Sequence, residues 1–155
     1  MEIKLNINGI DKLIDVKPHE FLVEVLRENG YLGVKKGCET GNCGLCTILI
    51  DDQPILSCSY LAVRAVGKKI ETIEGLQEEA TEIGAHLVDE GVDQCGYCSP
   101  GLVMNIIGMR RELENPTPEE ARHYLTNNLC RCTGYVGQYR AIKRILGVAE
   151  NDESC

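Results

Sequence analysis

Cysteine is the residue type with the greatest chemical capacity in this chain, because a thiolate is both a nucleophile and a soft metal ligand. The 155-residue sequence contains nine cysteines, eight of which fall into two groups. The first cysteine group is Cys38, Cys43, Cys46 and Cys58, and the second cysteine group is Cys95, Cys98, Cys130 and Cys132. Cys155 stands alone as the last residue. Two groups of four thiols predict two four-ligand metal sites, with no role assigned to Cys155.

The first cysteine group has the spacing C-x4-C-x2-C followed by a distant fourth cysteine. This spacing is typical of plant-type [2Fe–2S] clusters. A reduced two-iron cluster with four thiolates is anionic, so its loop must bring backbone N–H groups close to the sulfurs. Gly37, Gly41 and Gly44 permit the positive φ angles and the close approach that such a loop needs. Zinc sites favour C-x2–4-C pairs, so this group favours iron–sulfur over zinc.

The second cysteine group consists of two close pairs. Cys95 and Cys98 are three residues apart, so both thiols can face one way across a single turn. Cys130 and Cys132 are two residues apart, so an extended segment points both to the same side. Ser99-Pro100 predicts a helix start with the serine as N-cap, and the positive end of that helix would stabilise thiolates. Because two such pairs also satisfy zinc, the spacing alone leaves zinc and iron–sulfur open.

Composition and charge argue against several other classes of function. The net charge of −8 disfavours a nucleic-acid partner, because such proteins usually present a clustered basic face. No apolar run approaches the roughly 18 residues that span a bilayer, and the N-terminus lacks the hydrophobic core of a secretory signal. A cytoplasmic location is therefore expected. In that reducing compartment, dense cysteines indicate metal binding or catalysis before disulfides.

The elements that must position the first cysteine group are predicted to be mainly strands. Alternating apolar residues on both sides of Asn8-Gly9 predict a hairpin. Residues 18–29 carry an apolar stripe that ends at Gly30, which predicts a helix. Residues 47–56 predict a second hairpin around a polar turn, and residues 68–75 a further short strand.

From Leu76 onward the apolar spacing becomes helical. Four helices are predicted. The first begins at Leu76 and ends at Gly91, and the second covers residues 99–113. The third begins at the capping box Thr117 to Glu120, and the fourth covers residues 138–146. Residues 151–155 are expected to form a frayed tail. The sequence thus predicts a small mixed α/β domain at residues 1–75 and a domain of about four helices at residues 76–155.

The chain resembles the iron–sulfur subunit of the molybdenum hydroxylase (xanthine oxidase) family in four segments: GCETGNCGLCT, Cys58, QCGYCSPG and NLCRCTGY. The resemblance extends over residues 3–146, and the last two segments are highly specific to that family. It implies an α+β fold, with an N-terminal ferredoxin-like β-grasp domain followed by a C-terminal four-helix-bundle domain. It also implies a [2Fe–2S] cluster in each domain, one on each cysteine group.

The same resemblance implies partners and a role. Electrons would pass from a molybdenum–pterin site on a large subunit through the second and then the first cysteine group to FAD on a medium subunit. Gln94 and Cys132 would contact the molybdopterin. This chain alone would turn over no organic substrate. Thr40 and Ser99 stand where the family commonly has an acidic residue and a threonine, and neither change removes a ligand.

The substrate of such a complex is less strongly indicated than the electron-transfer role. Residues 54–76 are most similar to subunits of xanthine or purine dehydrogenases, so a purine or another N-heterocycle is expected. Subunits of carbon monoxide, nicotinate, aldehyde and aromatic acyl-CoA enzymes are similar. A free-standing two-cluster carrier and a zinc-stabilised interaction module are the hypotheses of a different class.

Overall fold

The computed structural model describes residues 1–148, which form a mixed α/β fold with one five-stranded sheet and five α-helices. The strands are β1 (Glu2–Ile7), β2 (Ile10–Asp15), β3 (Thr47–Ile50), β4 (Gln53–Leu56) and β5 (Lys69–Glu71). The helices are α1 (Leu22–Glu28), α2 (Gln77–Asp89), α3 (Ser99–Glu112), α4 (Pro118–Tyr124) and α5 (Val136–Ile145). None of these helices has the length and apolar character to cross a membrane. The predicted tail and Cys155 lie outside the described residues.

Both predicted hairpins are confirmed. Asn8 and Gly9 adopt positive φ angles of 52° and 78° and join β1 to its antiparallel partner β2. Asp51 and Asp52 make the corresponding turn between β3 and β4. β5 lies between the hairpins, parallel to β1 and antiparallel to β3, which gives the strand order β2-β1-β5-β3-β4.

The protein has two hydrophobic cores, and they meet at β3. Ile48 and Ile50 of this strand belong to a core formed with β1, β2 and α1. Leu49 points to the opposite face, where it packs in a core built mainly from α2 to α5. Because successive side chains of a strand alternate between faces, β3 is buried on both sides. This strand therefore attaches the helical half of the chain to the sheet.

Two predicted elements in the first half are shorter than expected. Helix α1 begins at Leu22 instead of residue 18, because Phe21 forms an isolated bridge with Leu61 and the Leu22 N–H donates to the Tyr60 carbonyl. The strand expected at 68–75 pairs only over Lys69–Glu71 and is followed by a 3-10 turn at Ile73–Gly75. In both places, contacts to distant parts of the chain set the boundary.

The prediction that Ser99 caps α3 is wrong. Cys98 occupies the N-cap position with helical dihedral angles, φ −82° and ψ −16°, and no side chain caps this helix. The Ser99 N–H donates to the Gly96 carbonyl at 3.2 Å, so the chain is already turning before the serine and places it inside the first helical turn. The Thr117 capping box is confirmed by reciprocal hydrogen bonds with Glu120. Helix α5 begins at Val136, two residues earlier than predicted.

Candidate metal centres

The β3–β4 hairpin brings the fourth cysteine of the first group to the other three. Cys46 directly precedes β3, and Cys58 lies in a 3-10 turn, Ser57–Ser59, that directly follows β4. The Ser57 hydroxyl donates to the Cys46 carbonyl at 2.7 Å and fixes the two ends of the hairpin together. The thiols of Cys46 and Cys58 consequently contact each other. The β3–β4 hairpin therefore brings Cys46 and Cys58 together, although they are distant in the sequence.

The loop of the first cysteine group surrounds Cys38 with backbone donors. The N–H groups of Thr40, Asn42 and Cys43 point at the Cys38 sulfur, with N···S distances of 3.5, 3.3 and 3.3 Å. The hydrogen bonds from Thr40, followed by those from Asn42, lower the pKa of Cys38 to about 6. We expected this loop to direct backbone N–H groups at sulfur, and it does so at Cys38. Such an arrangement stabilises negative charge on sulfur.

The other thiols of the first group lie inside the protein. Cys43, Cys46 and Cys58 are all buried. Burial is the largest cause that raises the pKa of Cys46 to about 11, because a low-dielectric surrounding disfavours the thiolate. A bound cation would reverse this preference, because a coordinating thiol is deprotonated. The Cys46 position thus suits a metal-bound thiolate better than a free one.

The two halves of the second cysteine group come from opposite ends of the helical region. Cys95 and Cys98 lie in the segment that joins α2 to α3, whereas Cys130 and Cys132 lie between α4 and α5. The Cys95 and Cys132 sulfurs are 3.5 Å apart. The Cys98 and Cys130 thiols are close enough for Cys130, in addition to burial, to raise the pKa of Cys98. The halves predicted from the spacing are therefore brought together. Each contact joins one thiol from each half.

Side chains supply the polar contacts at the second cysteine group. The Thr133 hydroxyl donates to the Cys130 sulfur at 3.2 Å, and the Cys130 N–H donates to the Tyr135 hydroxyl at 2.9 Å. Burial is the largest single cause and raises the pKa of Cys130, but hydrogen bonds from Thr133, Cys132 and Cys98 together lower it, and the net shift is downward. Burial raises the pKa of Cys98 to about 12. Sequence reasoning assigned no role to Thr133 or Tyr135, although Thr133 directly follows the C-x-C pair and Tyr135 lies two residues further on.

The donor sets can be compared with the two metals that the sequence left open. A zinc site holds four ligands around one point, with Zn–S distances of about 2.3 Å. Across residues 1–148, no three His, Cys, Asp or Glu side chains converge closely enough to hold a single ion. A two-iron cluster instead takes two ligands at each iron. The pairs Cys46–Cys58, Cys95–Cys132 and Cys98–Cys130 match that demand. The paired thiols therefore fit the ligand arrangement of a two-iron cluster.

The second cysteine group opens onto the surface at one edge. Cys95 and Cys132 are exposed, and so is Gln94, which directly precedes Cys95. Large apolar side chains are also exposed on the segments that carry these cysteines. They are Tyr97, Leu129 and Val136. The contact between Cys95 and Cys132 brings Gln94 and Cys132 to the same edge. The predicted pterin contact of these two residues stays a prediction.

The two cysteine groups are joined by direct contacts that sequence reasoning missed. The Leu129 N–H donates to the Cys43 carbonyl at 3.0 Å, and Leu129 directly precedes Cys130. The Tyr97 hydroxyl, between Cys95 and Cys98, donates to the Lys36 carbonyl at 2.8 Å. The segments that carry both groups are therefore held against each other by one backbone–backbone hydrogen bond and one hydrogen bond from a tyrosine side chain.

Family comparisons divide the chain at nearly the same place as its two cores. The model of the 2Fe-2S iron-sulfur cluster binding domain matches residues 5–74, and that of the [2Fe-2S] binding domain matches residues 72–143. The first match contains the first cysteine group, and the second match contains the second cysteine group. Two-iron cluster-binding domains therefore account for nearly all of the described residues.

Individual relatives extend over most of the chain. The xanthine dehydrogenase iron-sulfur-binding subunit of Escherichia coli O157:H7 is 44% identical, with 86% of each chain covered. The nicotinate dehydrogenase small FeS subunit of Eubacterium barkeri is 36% identical, with 91% of this chain and 92% of the relative covered. A chain of quinoline 2-oxidoreductase from Pseudomonas putida 86 superimposes with a TM-score of 0.86 at 40% identity, covering 94% of this chain and 92% of that one. This chain belongs to the family of iron–sulfur subunits of the molybdenum hydroxylases.

Proposed function

We propose that the eight grouped cysteines hold two [2Fe–2S] clusters and that the chain is the electron-transfer subunit of a molybdenum hydroxylase complex. The first cluster would be held by Cys38, Cys43, Cys46 and Cys58, and the second by Cys95, Cys98, Cys130 and Cys132. The observation that carries this proposal is the pairing of thiols within both groups. When bound, such a cluster accepts and releases one electron at a time. The residues of this chain hold and insulate the clusters.

The proposal includes a division into two domains. Residues 1–75 would form the ferredoxin-like β-grasp domain, and residues 76–155 the four-helix-bundle domain that follows it. The sheet order, with β5 between β1 and β3 and parallel to β1, supports the first assignment. The meeting of the two family matches at residues 72–74 and the existence of two cores support the boundary.

Exposure supports an orientation of the chain in the complex. The edge formed by Cys95 and Cys132 is exposed, so we infer that the molybdenum-binding subunit docks there and that Gln94 and Cys132 contact its pterin. The FAD-binding subunit would dock near Cys38, which is the least buried thiol of the first group. The chain would then relay electrons from the molybdenum–pterin site, through the second and the first cysteine group, to FAD.

The relatives support an N-heterocyclic substrate for the whole complex. The names of three relatives refer to xanthine, nicotinate and quinoline, which are all N-heterocycles. A purine or a related ring is therefore the substrate class we propose, and its recognition would be carried out by the molybdenum-binding partner. A cytoplasmic location belongs to the same proposal, and the eight thiols without disulfides support it.

Gel filtration of native material tests the subunit assignment. Co-elution with two larger chains and substrate oxidation by the complex are expected, whereas the isolated chain should oxidise no organic substrate. Elution of this chain alone, at its own mass and with its clusters bound, would instead support a free-standing carrier. Turnover by the isolated chain would contradict the proposal directly.

A further inference from the structure

A buried pair of asparagines lies between the two cysteine groups. Asn105 is in the middle of α3 with 4% of its surface exposed, and Asn128 precedes α5 with 8% exposed. The Asn105 amide nitrogen donates to the Asn128 side-chain oxygen at 2.6 Å. The other neighbours of Asn105 in the helix are apolar and buried. Because a buried amide is costly unless it is hydrogen-bonded, this bond strongly favours one arrangement of α3 against residue 128.

Asn128 and its predecessor lie directly against the loop of the first cysteine group. A Cβ atom added to Gly44 would come within 2.7 Å of both the Asn127 carbonyl oxygen and the Asn128 amide nitrogen. Only glycine leaves room for this contact, and its φ of +73° also disfavours any other residue. The next residue along the chain, Leu129, donates its N–H to the Cys43 carbonyl at 3.0 Å. Asn128 therefore sits where the two cysteine groups touch.

We propose that Asn105 and Asn128 are positioning residues that fix the distance and orientation between the two clusters, an inference that rests on the proposed function. Their hydrogen bond ties together three carriers of thiols: α3, which follows Cys98; the segment before Cys130; and, through Gly44, the loop that holds Cys43. Loss of the Asn105 amide would leave the Asn128 side-chain oxygen without its donor and release that segment from α3. The two clusters would then change their relative position while all eight thiols remain.

The magnetic interaction between the two reduced clusters tests this inference. Dipolar coupling falls with the cube of the distance between spins, so it reports separation independently of activity. The full chain with its clusters bound is compared with Asn105→Ala and with Asn127→Ala as the matched control. Asn127 is exposed and contacts the same amide at a longer 3.3 Å. We expect four irons in all three proteins, an altered EPR splitting in Asn105→Ala and an unaltered one in Asn127→Ala.

Each further outcome decides the question. Asn105→Ala with four irons and a spectrum superimposable on the wild type would overturn the inference, as would a change of equal size in Asn127→Ala. If Asn105→Ala does not assemble both clusters, Asn105→Leu, which is of similar size and has no donor, is measured by the same criterion. A wild-type chain with fewer than four irons would instead defeat the proposed function. If the wild type shows two cluster signals and the spectrum of Asn105→Ala is unchanged, only the positioning role is contradicted, and the proposed function stands.

Discussion

The two cysteine groups stabilise sulfur by different means. At Cys38, three backbone N–H groups of one loop point at the sulfur. At Cys130, a side chain is the leading donor: the hydroxyl of Thr133 donates to the sulfur at 3.2 Å, and backbone groups of Thr133 and Cys132 contribute less. The groups also differ in burial, because three of the first four thiols are buried, whereas Cys95 and Cys132 of the second group are exposed.

This difference indicates which properties substitution can change. Backbone donors remain after most side-chain substitutions. The hydrogen bonds to sulfur in the first cysteine group are therefore determined by the backbone path of its loop. The second cysteine group depends in addition on the Thr133 side chain and on an exposed edge, so single residues can change its surroundings more readily. Hydrogen bonds to sulfur and solvent exposure are the factors that set cluster potentials. The predictions below test this contrast, from the largest expected effect to the smallest.

Removing one thiol from each group should produce the largest effect. Cys43→Ser is expected to eliminate the first cluster alone, and Cys130→Ser the second alone, because the proposed function assigns four separate ligands to each cluster. Iron analysis with EPR of the reduced protein measures both outcomes. Cys155→Ser serves as the control and should change nothing. If either ligand variant lost both clusters, the two centres would not be independent.

The contact between α3 and the first loop should be the next most sensitive feature. A Cβ on Gly101 would overlap the Gly44 carbonyl oxygen and lie 2.9 Å from the Leu45 Cα, and all of these are backbone atoms that cannot rotate away. Gly101→Ala should cost about 3 kcal/mol, which corresponds to a thermal midpoint lower by about 6–12 °C.

Gly84 in α2 provides the matched control, because nothing lies within 4 Å of its added Cβ. Gly84→Ala should stabilise the helix by about 0.5–1 kcal/mol. Equal thermal midpoints for Gly101→Ala and Gly84→Ala would show that α3 does not pack closely against the first loop at Gly101.

A charge cluster should anchor the other end of α3 to the sheet. Arg111 contacts Asp52 and Glu71 at 2.6 Å and Glu79 at 3.0 Å, and the Glu71 side chain is only 11% exposed. Arg111→Ala would leave the partly buried charge of Glu71 with Lys69, at 3.2 Å, as its remaining cation, and we expect a loss of about 2 kcal/mol. Its neighbour Arg110 pairs with the more exposed Glu82, so Arg110→Ala should cost about 0.5 kcal/mol. Thermal unfolding of both variants measures the two losses. A larger loss of stability in Arg110→Ala than in Arg111→Ala would contradict the anchoring role of Arg111.

Single hydroxyl deletions test the difference between backbone and side-chain donors most finely. Thr133→Val removes the hydrogen bond to Cys130 and should lower the potential of the second cluster by about 40 mV, if one such bond stabilises the reduced form by about 1 kcal/mol. Thr40→Val also removes a hydroxyl near Cys38, but the three backbone N–H groups remain. Its shift at the first cluster should therefore be smaller. Redox titrations followed by EPR compare the two, and a larger shift in Thr40→Val would refute the contrast.

Local patterns in the sequence were sufficient for much of the fold. Asn8-Gly9 requires positive φ angles that few other pairs adopt, and the Thr117 capping box is complete within four residues. Both features were predicted correctly because their causes lie next to them in the chain. The spacing of the cysteines predicted which segments should approach each other, and the structure brings Cys95 to Cys132. The ligation of iron by these thiols stays a proposal.

Contacts between distant segments could not be predicted in the same way. The role of Gly101 depends on how α3 packs against Gly44, and the Leu129–Cys43 hydrogen bond joins residues far apart in sequence. Ser99 failed as an N-cap because the chain turns before it, through a hydrogen bond to Gly96. Each of these features requires the tertiary arrangement, which no local pattern contains.

Iron and acid-labile sulfide analysis, combined with EPR of the dithionite-reduced chain, tests the central claim most directly. Two [2Fe–2S] clusters require four irons and four sulfides per chain, and the different surroundings of the two cysteine groups predict two distinguishable signals. A colourless protein with zinc, or a protein with a single two-iron signal and half that iron, would contradict the account.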